Sequence, residues 1–315
     1  MITAAPVVVA LSHRLGPVLP AAVAPLLQDG TALYTDTDVP AELAQQSGAH
    51  PVGDAVHGLL LTMDLDTGAA ARWVATGATV LATPEPAGAV LLDAVGVMDR
   101  LRSPGGCPWD AEQTHSSLMP YLIEETYELY QALEDGDLDA LREELGDVLL
   151  QVLFHARVAQ EGPEGFDIDA VATELVTKLV GRHPHVFAGS EEVCTAADQE
   201  IRWEQLKRTE KRRESSVDGV ALAQPAVALA AKLASRAAKA AIPADLLPGD
   251  GSGTGGSLFA LSAAAKLAGE DPEAALRRVA RRFADDLRAA ERSARTAGLD
   301  VGRLTPRQWR EHWPG

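Results

Sequence analysis

Two carboxylate pairs flank a single turn in this chain, and their spacing fixes how the surrounding residues can fold. Glu125 and Glu128 are three apart, as are Glu144 and Asp147, so each pair shares one face of its helix. Between them Glu134-Asp135-Gly136-Asp137 breaks the helical pattern. Counted from Gly136, Glu128 and Glu144 are each eight residues away, and Glu125 and Asp147 each eleven. Two helices folding back on each other place equal counts at equal heights, about 12 and 16 Å from the turn at roughly 1.5 Å per residue. The spacing therefore predicts a helical hairpin that gathers four acids at one spot. Such a group repels itself unless a hard cation sits within it.

Acidic residues on helices ordinarily form a solvated face, but two details oppose that here. Residues 121–150 hold ten acids and one base, Arg142, so the usual neighbouring cations are missing. The acids also intrude on the apolar stripes. Leu118, Leu122, Leu129 and Leu133 run at helical spacing with Glu125 in their line. On the second helix the expected stripe is Leu141, Leu145, Val148 and Val152, with Glu144 beside it. A part-buried carboxylate without a partner is costly. Oxygen-only ligation points to Mg²⁺, or Mn²⁺, rather than zinc.

The 315 residues leave room for two or three domains. With aromatic residues at 4% and Ala, Leu and charged residues abundant, helices are favoured over sheet sandwiches. A net charge of −17 argues against binding nucleic acid, whose phosphates need a basic surface. It leaves a nucleotide substrate open, because a bound metal reverses the local sign. Cys107 and Cys194 have neither metal-ligand nor redox spacing, which fits a reduced, cytoplasmic protein. No leader pattern opens the chain, and no apolar run approaches the roughly 18 residues that span a bilayer.

Three segments follow. In residues 1–88 the runs Val7–Leu11, Leu59–Thr62 and Thr79–Thr83 are strand-like and imply a small α/β domain; His13, His50 and His57 are scattered there and read as surface or structural. Residues 89–213 are strongly helical and carry the hairpin. Ahead of it Ser103–Thr114 is a Pro/Gly-rich loop holding Trp109; behind it Lys178 and Arg182 stand four apart at a helix end that Pro184 stops. A point charge and a planar fork on one face suit phosphate oxygens. Residues 214–315 show helical runs near 221–241, 257–269 and 273–297 around a Gly/Ser loop at 248–257. Gly251, Gly253 and Gly256 have GxGxxG spacing, but no strand precedes them, so a linker is the better reading than a dinucleotide site. No GxxxxGK[ST] occurs, which removes P-loop NTPases.

Taken together the motifs resemble the MazG nucleoside triphosphate pyrophosphohydrolases. The resemblance runs from Leu91 to Arg208 and rests on Gly106-Cys-Pro-Trp-Asp110 with Gln113-Thr114, Glu124-Glu-x-x-Glu128, Glu144-x-x-Asp147, Arg182-His-Pro-His-Val-Phe187 and Arg202-Trp-Glu-Gln-Leu-Lys207. It implies a mainly all-α bundle built on the acidic hairpin, working as a homodimer or higher oligomer. It also implies Mg²⁺-dependent conversion of NTPs and dNTPs to monophosphate and pyrophosphate. Carried over by residue, Glu125, Glu128, Glu144 and Asp147 resemble the metal ligands, and Glu124 holds a second ion or orients the attacking water. Lys178 and Arg182 match the phosphate-facing cations. Trp109 either covers the nucleotide base or packs as an anchor.

Some members carry two such domains, and residues 218–315 look like a second one in decayed form. Gly253 and Gly256 stand where its ExxD would lie, and its basic pair reads Arg282 and Asp286. That half is expected to bind no metal cluster and to serve oligomer packing or to shape the first site. Residues 1–88 lie outside the core resemblance. Two rivals remain: a di-iron carboxylate bundle, which needs ExxH on two helices where only Glu112–His115 offers it, and a non-catalytic partner-binding module. The paired cations and the acids set within apolar stripes favour the enzyme.

Overall fold

The runs Val7–Ala10 (β1) and Leu59–Thr62 (β4) lie side by side at the centre of a parallel sheet. Apart from Thr62 both are apolar, because both faces of the sheet are covered. In the computed structural model, which describes residues 5–16, 18–66, 68–189, 195, 214–249 and 253–315, the strand order is His50–Pro51 (β3), Leu33–Thr35 (β2), β4, β1 and Thr79–Ala82 (β5). Val8 and Leu60 face a cluster with Ala69, Ala70 and Trp73, while Val9, Leu59 and Leu61 face Val23 and Val39. The two-residue side-chain period sends neighbours to opposite layers. Thr79–Ala82 (β5) completes the expected strands.

Leu33–Thr35 (β2) and His50–Pro51 (β3) were not legible in the sequence. They span three and two residues, too short for periodicity to register, and Pro51 is tolerable only because β3 is an edge. Short helices Ala24–Gln28 (α1), Ala41–Ser47 (α2) and Gly68–Ala75 (α3) connect the strands. Asp36, just past β2, accepts the Ala70 amide at 2.7 Å. Gly68 approaches so closely that an added Cβ would meet an Asp36 carboxylate oxygen at 2.6 Å, so this junction requires glycine.

Within the same compact unit, residues 1–187, the chain continues into helices Val90–Arg102 (α4), Pro108–Glu112 (α5), His115–Asp135 (α6), Leu138–Gln160 (α7), Ile168–Arg182 (α8) and Pro184–Phe187 (α9). Met98, Leu118, Leu153 and Phe154 form their core. Arg14, beyond β1, joins sheet to bundle by donating Nε to Asp93 of α4 at 2.8 Å and pairing with Glu85. The bond from Arg14 holds the Asp93 carboxyl below its ordinary range, and hydrogen bonds from Ser12 and Arg14 do the same for Glu85.

Residues 188–315 form the second unit. Among the described residues its α-helices are Ala226–Lys239 (α10), Gly253–Leu267 (α11), Pro272–Thr296 (α12) and Pro306–His312 (α13). The Gly/Ser loop expected over 248–257 is corrected at its far end, since residues from Gly253 onward are helical. Here tertiary packing overrides weak helix propensity: α11 packs on α10, whose Ala230, Ala231, Ala234 and Ala237 are buried, and Gly256 and Ala263 are buried too. Cys194, Gly251 and the Arg202–Lys207 motif lie outside the described residues. No described helix is long and apolar enough to cross a membrane.

Candidate metal and nucleotide site

Thr114 opens α6 with a capping box, its hydroxyl accepting the Ser117 amide while Ser117 Oγ takes the Thr114 amide. Gly136 closes the helix at φ 68°, a left-handed conformation that glycine enters without steric cost. Asp137 then caps α7 at once, its Oδ1 accepting the amides of Asp139 and Ala140 at 3.0 and 3.1 Å. The turn is as tight as the spacing predicted, and α6 packs along α7.

The hairpin brings Glu125, Glu144 and Asp147 together, one oxygen of each lying within 4.8 Å of the others. Glu128 is more exposed but shares a hydrogen bond with Glu125 and acts on Glu144 by charge. Burial first, then the charges of Asp147 and Glu128, push the Glu125 carboxyl above its ordinary value. Burial, then Glu128 and Asp147, do the same for Glu144. These groups resist carrying full negative charge together, which is the condition a divalent cation relieves. The all-oxygen donor set fits a hard cation.

Glu124 is exposed on α6, and Lys178 is exposed on α8. Arg182, at the end of α8, is buried. Trp109, on α5, is half-exposed and stands edge-on to Tyr121 and Phe154, with centroids 6.1 and 6.4 Å apart.

The apolar stripe of α7 needs correction. Leu145 and Val152 are 52% and 41% exposed, whereas Gln151, Leu153, Phe154, Ala156 and Ala159 are buried. The helix is covered by α4 as well as α6, so its buried face is wider and rotated from a simple two-helix seam. On α6, Leu133 is likewise exposed while Leu118 and Ala132 are buried.

Three features went unread in the sequence. Gln151 and His155 continue the face of Asp147 at four-residue intervals. Gln151 is 4% exposed, and His155 stacks on His115 with Nδ1 atoms 2.8 Å apart. Burial and the neighbouring His115 lower the His155 pKa. Arg102 is buried and paired with Glu161. Polar residues at four-residue spacing within the apolar stretch after Asp147 were the available signal for Gln151 and His155. No local pattern marks Arg102.

Comparison with known proteins decides the family. Residues 113–187 match the model of the MazG nucleotide pyrophosphohydrolase domain, and residues 6–81 match that of the MazG N-terminal domain. A nucleoside triphosphate pyrophosphohydrolase of Mycobacterium tuberculosis is 42% identical over 301 residues, covering 90% of this chain and 88% of the relative. The chain belongs to the MazG nucleotide pyrophosphohydrolase family. Its members are enzymes, hydrolases acting on acid anhydrides. The nucleoside triphosphate pyrophosphohydrolase/pyrophosphatase MazG of Thermotoga maritima is 34% identical, covering 72% of this chain and 95% of its own. A nucleoside triphosphate pyrophosphohydrolase of Escherichia coli is 45% identical over 147 residues, 45% of this chain and 55% of the relative. Residues 1–88 lie outside the core domain match, and residues 6–81 match the family's separate N-terminal domain, which the motifs do not reach. The resemblance missed this because that segment carries a buried sheet and no charged motif.

Proposed function

We propose that the chain hydrolyses NTPs and dNTPs to nucleoside monophosphate and pyrophosphate in a Mg²⁺-dependent reaction, Mn²⁺ being an alternative, and clears unwanted nucleotides from the cytoplasmic pool. The convergence of Glu125, Glu144 and Asp147 within 4.8 Å carries this reading, and the family membership supports it.

In this proposal Glu125, Glu128, Glu144 and Asp147 hold the cation. When bound, it neutralises triphosphate charge and lowers the pKa of a nearby water. Lys178 and Arg182 bind phosphate oxygens, and Trp109 covers the base. Glu124 orients the attacking water and accepts its proton. The water oxygen bonds to a phosphorus flanking the α–β bridge, the bridging P–O bond to that phosphorus breaks, and pyrophosphate and monophosphate separate. No covalent enzyme intermediate is required.

The catalytic segment is taken as 89–213, preceded by the N-terminal segment 1–88 and followed by 214–315, which packs without its own chemistry. Exposed Met119, Ile123, Leu133, Leu138, Leu145 and Val152 on the hairpin support a homodimer, since that much apolar surface is a customary subunit contact.

The test is pyrophosphate release from a panel of NTPs and dNTPs with Mg²⁺ and with EDTA. Metal-dependent release of pyrophosphate and monophosphate is expected. Silence toward every nucleotide by folded, metal-bound protein would refute the activity and favour the partner-binding reading.

A further inference from the structure

A buried and heavily hydrogen-bonded cation ends α4. The side chain of Arg102, at the end of α4, is 2% exposed. Its Nε and Nη2 donate to the two oxygens of Glu161 at 3.1 and 2.8 Å. Its Nη1 donates to the carbonyls of Asp110 and Gln113, the latter at 3.2 Å. The guanidinium also lies 5.4 Å from the centroid of Phe154. Glu161 is held further by Arg157, which reaches Asp99. The hydrogen bond from Arg102 is the largest influence keeping the Glu161 carboxyl below its ordinary range.

Every acceptor on the loop side belongs to the turn that presents Trp109. Asp110 follows it, and Gln113 donates from Nε2 to the Trp109 carbonyl at 2.9 Å. Gln113 Oε1 accepts from Ser117 Oγ at 2.8 Å, and Ser117 is the partner of Thr114 in the α6 cap. Phe154 packs on Arg102 from one side and on Trp109 from the other. Tyr121, the other ring against Trp109, is one helical turn before Glu125. Arg102 thus holds the turn that carries an exposed indole, and Tyr121, one of the rings against that indole, stands on the same helix as Glu125.

We propose that Arg102 is a positioning residue for substrate binding: clamped by Glu161, it holds the Pro108–Gln113 turn so that Trp109 meets the nucleobase of a triphosphate seated on the acid cluster. This rests on the role given to Trp109 above and extends it to two residues that touch no substrate. A lysine cannot replace the guanidinium, because one ammonium cannot present a bidentate fork to Glu161 and reach two carbonyls on the other side.

Steady-state pyrophosphate release from ATP should be measured for wild type, Arg102→Lys, Trp109→Ala and the double variant, with circular dichroism to verify folding. Arg102→Lys is expected to raise KM about tenfold while kcat stays within about twofold, the mark of lost binding rather than lost transition-state contact. Trp109→Ala should do the same, and the double variant should be no worse than the poorer single one, since both act through one contact. A folded Arg102→Lys with wild-type KM overturns the proposal, and so does multiplication of the two effects. If Arg102→Lys does not fold, Glu161→Gln weakens the same clamp from a more exposed position. It is expected to raise KM a few-fold, and an unchanged KM there overturns the proposal as well. An inactive wild type would defeat the function and this inference together. Activity abolished by Asp147→Asn but indifferent to Arg102 and Trp109 would defeat the inference alone.

Discussion

The acidic hairpin and the α10–α12 helices of the second unit are two helical regions with different interiors. Both regions enter a long helix through the same device. Asp137 caps α7 with Oδ1 on two amides at 3.0 and 3.1 Å, and Asp271 caps α12 on two amides at the same distances. The faces behind the caps differ. The first region turns Glu125, Glu144 and Asp147 toward one point, whereas the second buries Ala230, Ala234 and Ala237 on α10 and Gly256 and Ala263 on α11. Helix caps and small-residue packing need no ligand to hold them. Converging acids carry a standing electrostatic cost that only an occupied site offsets.

The largest effect should come from removing one acid. Glu125→Gln or Asp147→Asn is expected to lower pyrophosphate release by about a thousandfold, equivalent to about 4 kcal/mol of transition-state stabilisation, while apo-protein thermal stability holds or rises because repulsion is relieved. Unfolding of either variant would show that the acids are structural and collapse the contrast between the regions. The reverse exchange comes next. Gly256→Asp should destabilise the second unit by about 2 kcal/mol or more, since it buries a carboxylate where Gly253 and α10 alanines offer no counterpart. Denaturant titration reads this, and a stable variant that binds Mn²⁺ would mean the second region is closer to a working site than its residues suggest.

Smaller changes sharpen the comparison. Asp137→Ala and Asp271→Ala should each cost about 1 kcal/mol, and their near-equality, measured by thermal unfolding, would confirm that the caps are independent of the acids. The weakest effect is on pH. Glu125 and Glu144 have folded pKa values raised above the ordinary 4.5, so the folded state binds more protons than the unfolded one across that window. Stability of the metal-free protein should therefore fall as pH rises from about 4.5 through the raised values. Saturating Mg²⁺ should remove that slope, and a metal-free protein with no slope would place the acids too far apart to interact.

The hairpin was legible because its information is local: three-residue spacings, a helix-ending glycine and a capping aspartate all lie within 125–147. The central strands were legible as unbroken apolar runs. What escaped detection depends on partners distant in the chain. Arg102 and Glu161 are 59 residues apart, and nothing near either foretells the other. The exposure of Leu145 and Val152 follows from α4 covering a second side of α7, which no period within α7 encodes. Helix α11 begins among glycines because its neighbour is lined with alanine, a fact about α10 rather than about residues 253–257.

The hairpin connection has no slack. Gly136 ends one helix and Asp137 already begins the next, so a residue deleted there must be taken from a helix. Each residue withdrawn turns everything beyond it by about 100°, enough to swing Glu144 and Asp147 off the face shared with Glu125. Sequence drift in this chain can therefore replace residues along the hairpin far more freely than it can change their number, and the length of the 125–147 interval is itself part of the candidate site.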